Sequence, residues 1–198
     1  MQLCIQNLML SDKVKDKTLY QRLKQKDKEA FIKAYDLYLS NIYRFVYFKV
    51  DSHEEAEDIT SQTFLKTWDY IQNNQIDEYK NLKSLLYKVA RNTVIDHYRK
   101  KSQQQNISLS SGPDETTLDL ADAKQDLIKK AETDIDFAIL QKVMFQLKDE
   151  YREIITLRYV NELTISEIAE VLDKNKGSVR VQIFRALNAL RDLINEQR

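Results

Sequence analysis

The residues with the most informative chemistry lie near the end of the chain, in Lys174-Asn175-Lys176-Gly177-Ser178-Val179-Arg180-Val181-Gln182 and on to Arg185. Arg and Gln form paired hydrogen bonds with guanine and adenine edges in a major groove. Arg180 and Gln182 are therefore candidates for reading bases; Lys174, Lys176 and Arg185 suit phosphates, and Ser178 shares their face. A second set alternates cations with flat rings: Lys83, Tyr87, Lys88, Arg91, His97, Tyr98, Arg99, Lys100 and Lys101, with Asn92 among them. A phosphate backbone takes the cations and an unstacked base takes the rings. Each pattern also has a plainer reading, a solvated helix face whose tyrosines lay their rings along it and keep their hydroxyls wet.

Catalytic chemistry has no comparable constellation. His53 and His97 lack Cys or His partners at ligand spacing, which argues against a zinc site, and no other metal site is expected. Two glycines in the whole chain exclude a phosphate-cradling glycine loop or a dinucleotide fingerprint. Cys4 has no evident base beside it, and the many carboxylates fall on exposed helix faces. No enzyme activity, cofactor or small-molecule substrate is expected.

The elements that must position these residues are helices. With Gly 2 and Pro 1 in 198 residues, few tight turns can form, and an all-α fold follows. Thr164-Ile165-Ser166-Glu167 is a capping box, so a helix starts at Ile165 and buries Ile165, Ile168, Ala169 and Leu172. It ends in Asp173 to Gly177, residues that tolerate a left-handed backbone. A second helix is predicted from Ser178 as N-cap, burying Val179, Ile183, Ala186, Leu187, Leu190 and Ile194. Two short helices with Arg and Gln at the start of the second describe a helix-turn-helix; an αα-hairpin is the alternative.

Upstream, Asp27 opens a helix through Ala30, Phe31, Ala34, Tyr35, Tyr38, Ile42, Phe45 and Val46. Ser52 caps a helix to about Ile71 that buries Ala56, Ile59, Thr63, Trp68 and Ile71 or their neighbours and exposes Glu57, Asp58, Gln62 and Lys66. After a polar loop from Gln72 to Asn81, a third helix buries Leu82, Leu85, Leu86, Val89, Ala90, Val94 and Ile95 and turns its basic residues outward. From Ser102 periodicity disappears, Gly112-Pro113 intervenes and Asp and Glu outnumber Lys, which reads as an acidic flexible linker. Helical periodicity returns at Ile135, Ile139, Val143 and Leu147, then at Tyr151, Ile154, Ile155, Leu157 and Tyr159. The expected domains are residues 18–101 and 134–198, with the linker over 102–133 and residues 1–17 unassigned.

Charged residues balance to a formal net charge of +0, so no overall field would draw the chain onto DNA unaided. A single cysteine suits a reducing compartment. No apolar run of about 18 residues is present, so no membrane insertion is expected. The start, Met1 to Leu10, lacks a basic n-region, and the cytoplasm is the expected location.

Glu54-Glu55-Ala56-Glu57-Asp58-Ile59-Thr60-Ser61-Gln62-Thr63-Phe64-Leu65-Lys66-Thr67-Trp68 resembles the most recognisable segment of bacterial sigma factors of the extracytoplasmic-function type. Leu85-Leu86-Tyr87-Lys88-Val89-Ala90-Arg91-Asn92-Thr93-Val94-Ile95-Asp96-His97-Tyr98-Arg99 is similar to the segment that follows in the same domain. Leu157-Arg158-Tyr159, Glu167-Ile168-Ala169, Ser178-Val179-Arg180 and Arg185-Ala186-Leu187 resemble that family's second domain. The chain departs from the usual pattern at Ser61-Gln62, where Gln-Glu is common, at Leu85, where Trp is common, and at Asp173, where Gly is common.

The resemblance implies two small helical domains, region 2 and region 4, that bind core RNA polymerase and direct it to promoters, with an anti-sigma factor as a further partner. Region 2 would dock on the polymerase through Asp58, Ser61, Gln62 and Lys66. It would hold the opened minus-ten strand through Asn74, Lys80, Tyr87, Lys88, Arg91, Asn92, His97 and Arg99. Region 4 would read the minus-thirty-five box through Lys174, Lys176, Ser178, Arg180, Gln182 and Arg185. Without the resemblance, the residues also admit a helix-turn-helix regulator with a sensing or dimerising domain, or a helical adaptor that binds only protein.

Overall fold

The computed structural model describes residues 18–73, 81–108 and 140–196. Residues 1–17, the loop carrying Asn74 and Lys80, and most of the expected linker lie outside the described residues. Every regular element among the described residues is helical.

Residues 18–24 are helical, and Lys26 in a left-handed conformation, φ 60°, turns the chain into α1, Lys28–Tyr47. Asp27 caps α1 by accepting from the backbone N–H groups of Glu29 and Ala30, as its position before the periodic run requires. Ser52 caps α2, His53–Gln72, by accepting from Glu55 N–H. Threonine is β-branched and a poor helix former, yet Thr60, Thr63 and Thr67 all lie buried in α2. Each returns its hydroxyl to the carbonyl four residues back, at 2.6, 2.7 and 2.8 Å, so no buried donor is left open. Tilted ring pairs, Phe31 with Trp68 and Tyr35 with Phe64, join α1 to α2.

The third helix, α3, spans Leu82–Ser108 and continues past residue 101 into the stretch expected to be linker. It packs against α1 and α2 through Leu82, Leu85, Leu86, Val89, Ala90 and Val94. Ile95, expected in this core, is instead exposed and lines an open groove between α2 and α3 with Lys66, Tyr70 and Asn92.

In the C-terminal unit, residues 140–146 are helical and α4, Asp149–Ile155, follows. It widens into a π-helical turn over Thr156–Val160, where Asn161 N–H reaches Thr156 O at 2.9 Å. One extra residue in a turn rotates the following chain, and the turn leads directly into the helix-turn-helix. The latter consists of α5, Ile165–Val171, and α6, Lys176–Glu196. Buried apolar residues of both units belong to one cluster, so the two are packed together and not merely tethered.

Candidate nucleic-acid interface

The capping box of α5 is present as read. Thr164 accepts from Glu167 N–H, and Glu167 Oε2 accepts from Thr164 N–H at 2.7 Å. The start of α6 differs from expectation. Asn175 is the cap, with Oδ1 accepting from Ser178 N–H at 2.8 Å, and Ser178 lies in the first turn. The tight turn is correspondingly shorter. Its left-handed residue is Asp173, φ 51°, while Gly177 is already helical with no positive φ. Asp tolerates that conformation because its short polar side chain adds little steric cost.

Val179 and Ala186 seat α6 in the core, with Ile183 and Leu190 half-buried beside them. Leu187 and Ile194, expected on the buried side, are exposed, because each lies well off the line of Val179, Ala186 and Leu190 that faces the core. Lys174, Lys176, Ser178, Arg180 and Arg185 are exposed as expected. Gln182 is half-buried; its amide donates to Glu150 O at 3.2 Å and accepts from Lys174 Nζ at 2.8 Å. At about 100° per residue, Arg180 and Gln182 lie on opposite flanks of α6. The line farthest from the core runs through Gly177, Val181 and Phe184. Val181 is 50% and Phe184 67% exposed. These two apolar residues were missed from the sequence, although their spacing of three and their position opposite Val179 and Ala186 carried the signal.

On α3 the expected single-strand face divides. Tyr87 is fully buried and meets Phe45 edge-on at 5.4 Å, so it is a core residue that cannot stack on a base. The helical spacing that joins it to Lys88 and Arg91 in sequence turns its side chain inward. Burial raises the Tyr87 phenol well above the ordinary tyrosine range; the Arg44 charge tempers the rise, and so does Asn161, without closing a hydrogen bond of normal geometry. His97 Nε2 lies 3.3 Å from Glu55 Oε1, which also accepts from Lys101 at 2.9 Å. Burial alone would raise the Glu55 carboxyl. Hydrogen bonds from Lys101 and Asp51 N–H, with the nearby positive charge, outweigh it and hold the group below its ordinary value. Asn92 and Arg99 are exposed, and Arg99 is loosely paired with Asp96 at 3.4 Å.

Lys88 and Arg91 are engaged within the molecule. Lys88 Nζ is 2.8 Å from Asp173 Oδ1, and Arg91 Nε is 3.2 Å from Glu153 Oε1. Lys49 also pairs with Glu153, and Lys83 lies 3.7 Å from Glu167. All these carboxylates belong to the C-terminal unit.

The residues expected to meet polymerase are open. Asp58, Ser61, Gln62 and Lys66 are exposed on α2, with Lys66 3.4 Å from Asp96. Ser61 borders a groove of about 490 Å³ between α1 and α2, shared with Tyr35, Tyr43, Arg44, Glu57 and Thr60. Leu65 lies in the middle of the exposed stripe and is 70% exposed. Sequence reading passed over it, because an apolar residue inside a helical pattern is ordinarily assigned to the core.

Comparison with known proteins agrees with this arrangement. The family model Sigma-70 region 2 matches residues 34–104, and Sigma-70, region 4 matches residues 137–190. The ECF RNA polymerase sigma factor SigW of Bacillus subtilis is 28% identical over 88% of this chain and 94% of its own. BldN of Streptomyces coelicolor, also an ECF RNA polymerase sigma factor, is 28% identical over 93% of this chain and 67% of its own. Among solved structures, CnrH in complex with the cytosolic domain of CnrY shares the fold with a TM-score of 0.69 at 16% identity, over 93% of this chain and 99% of that one. The sigma factor RpoE in complex with the anti-sigma factor NepR from Bartonella quintana gives 0.61 at 23% identity, over 85% and 98%. With both family regions in order on one all-helical chain, and relatives of the same type matching along most of its length, the chain belongs to the extracytoplasmic-function sigma factors of the sigma-70 family.

Proposed function

We propose that this chain is a non-catalytic, cytoplasmic initiation subunit that docks core RNA polymerase through α2 and reads promoter DNA through α3 and α6. Its function as a sigma factor, directing promoter-specific initiation, rests on one observation: both family regions are present, in order, on this chain. The roles of individual residues are inferred from exposure and, for half-buried Lys88, Arg91 and Gln182, from their place on the same helices. Asp58, Ser61, Gln62 and Lys66, with Leu65 at their centre, form the polymerase face. Asn92 and Arg99, with Asn74 and Lys80 of the preceding loop, meet the opened strand, and Lys88 and Arg91 join them once released from their carboxylates. In α6, Arg180 and Gln182 reach base edges from the two flanks, while Val181 and Phe184 press on the groove floor, where thymine methyls offer an apolar contact. Lys174, Lys176, Ser178 and Arg185 hold phosphates.

An anti-sigma factor is a further expected partner, since solved sigma factors of this fold are found with one. No described helix is long and apolar enough to cross a membrane, which suits a subunit that works with polymerase in the cytoplasm. Run-off transcription with core enzyme and a set of promoter fragments tests the proposal. Promoter-specific transcripts are expected only when the chain is added, and their absence would refute it.

A further inference from the structure

Both ends of the Gln182 amide are engaged within the C-terminal unit. Nε2 donates to Glu150 O, in the first turn of α4, at 3.2 Å, and Oε1 accepts from Lys174 Nζ, in the turn before α6, at 2.8 Å. A backbone carbonyl can only accept and an ammonium can only donate, so these two partners settle which end of the amide is nitrogen and which is oxygen. The side chain is half-buried, and it cannot turn over without losing both bonds. A primary amide has two N–H donors and two acceptor lone pairs; one of each is used here, and one of each remains. Lys174 is exposed, and its ammonium keeps further N–H groups for a phosphate.

In a major groove adenine offers an acceptor, N7, beside a donor, the N6 amino group, whereas guanine offers two acceptors, N7 and O6. The edge left to Gln182 is one donor beside one acceptor, and it matches adenine. Against guanine it satisfies a single acceptor and sets its own oxygen against the other. The second N–H, which a freely turning glutamine would supply to guanine, is held by Glu150 O. We propose that Gln182 is pre-set to read adenine and that Lys174 is its positioning residue, so that this lysine governs which base is chosen as well as holding a phosphate. The inference rests on the proposed role of α6 in reading promoter DNA. An amide fixed in advance also loses less rotamer freedom on binding than a loose one.

The test is binding of holoenzyme, core polymerase with the full chain, to duplex promoter fragments randomised through the upstream box, with the bound fragments sequenced. At one position the parent should prefer adenine to guanine about 5- to 150-fold. Gln182→Ala should abolish that preference and leave the other positions as they are. Lys174→Met should remove most of it, and Lys174→Arg, which keeps a donor, should retain it. Lys176→Met, a phosphate contact two residues on, should weaken all fragments alike and leave the preference intact. A further measurement needs no variant: 7-deazaadenine at that position lacks the N7 acceptor and should cost the parent about fivefold in affinity. No loss with 7-deazaadenine, or an adenine preference that survives Gln182→Ala, overturns the adenine reading. An unchanged preference in Lys174→Met overturns the positioning role. Run-off transcription by the parent keeps the two readings apart: promoter-specific transcripts without an adenine preference overturn this inference alone, and their absence overturns the sigma assignment beneath it.

Discussion

Leu65 offers the sharpest test of the polymerase face. Fully burying a leucine side chain is worth about 1.5–3 kcal/mol. Leu65 is 70% exposed in the free chain, so roughly 1–2 kcal/mol remains to be gained when a partner covers it. Leu65→Ala should therefore weaken core binding about 5- to 30-fold. Folding should barely respond, within about 0.5 kcal/mol, since the side chain touches little of its own molecule and Ala is the better helix former. The assay is competition of the variant against labelled parent for core polymerase, with thermal melting measured alongside. Unchanged core affinity with unchanged melting would mean that the exposed stripe of α2 is solvated surface. A large drop in melting temperature would mean that Leu65 supports the fold.

Three further predictions concern α6, the buried tyrosine and the Glu55 cluster. Replacing thymine by uracil in the upstream box removes a methyl worth about 0.8 kcal/mol. The parent holoenzyme should lose about fourfold in affinity at the position that Val181 and Phe184 cover, and Phe184→Ala should lose nothing more; equal losses in both would refute the contact. Tyr87→Phe should leave permanganate footprints of open complexes unchanged and melting equal or slightly higher, because its buried hydroxyl lacks a partner, whereas Tyr87→Ala should cost about 3–5 kcal/mol in chemical denaturation. Lost strand opening with Tyr87→Phe would return that residue to the DNA face. The Glu55 carboxyl is held below its ordinary value of 4.5, so its contribution is complete above that pH and is lost as the pH falls through its folded value. Solvent screening keeps the effect small. The melting difference between parent and Glu55→Gln should narrow below that pH, and a constant difference would show that the pairing with Lys101 and His97 is not what matters.

Whatever depends on neighbours along the chain was legible in the sequence. Scarce Gly and Pro pointed to an all-helical fold, Asp27, Ser52 and the Thr164–Glu167 box marked three helix starts, and spacings of three and four assigned most of the core. Ordered motifs then placed the chain in its family. These are local matters of hydrogen-bond supply and periodicity, and they survive without tertiary context. The direction in which each helix rolls once packed was not legible. Tyr87 and Lys88 are adjacent letters, yet a step of about 100° sends one into the core and the other to Asp173. The same rotation brought Phe184, Val181 and Leu65 outward and divided Arg180 from Gln182. The cap of α6 moved to Asn175 because two chemically suitable caps stood three residues apart, and only the packed turn chose between them. Above all, the pairing of Lys49 and Arg91 with Glu153 joins residues 104 and 62 positions apart. No periodicity reports such a contact. It exists because two units with complementary charge fold against each other, and that meeting is settled by packing across the whole chain.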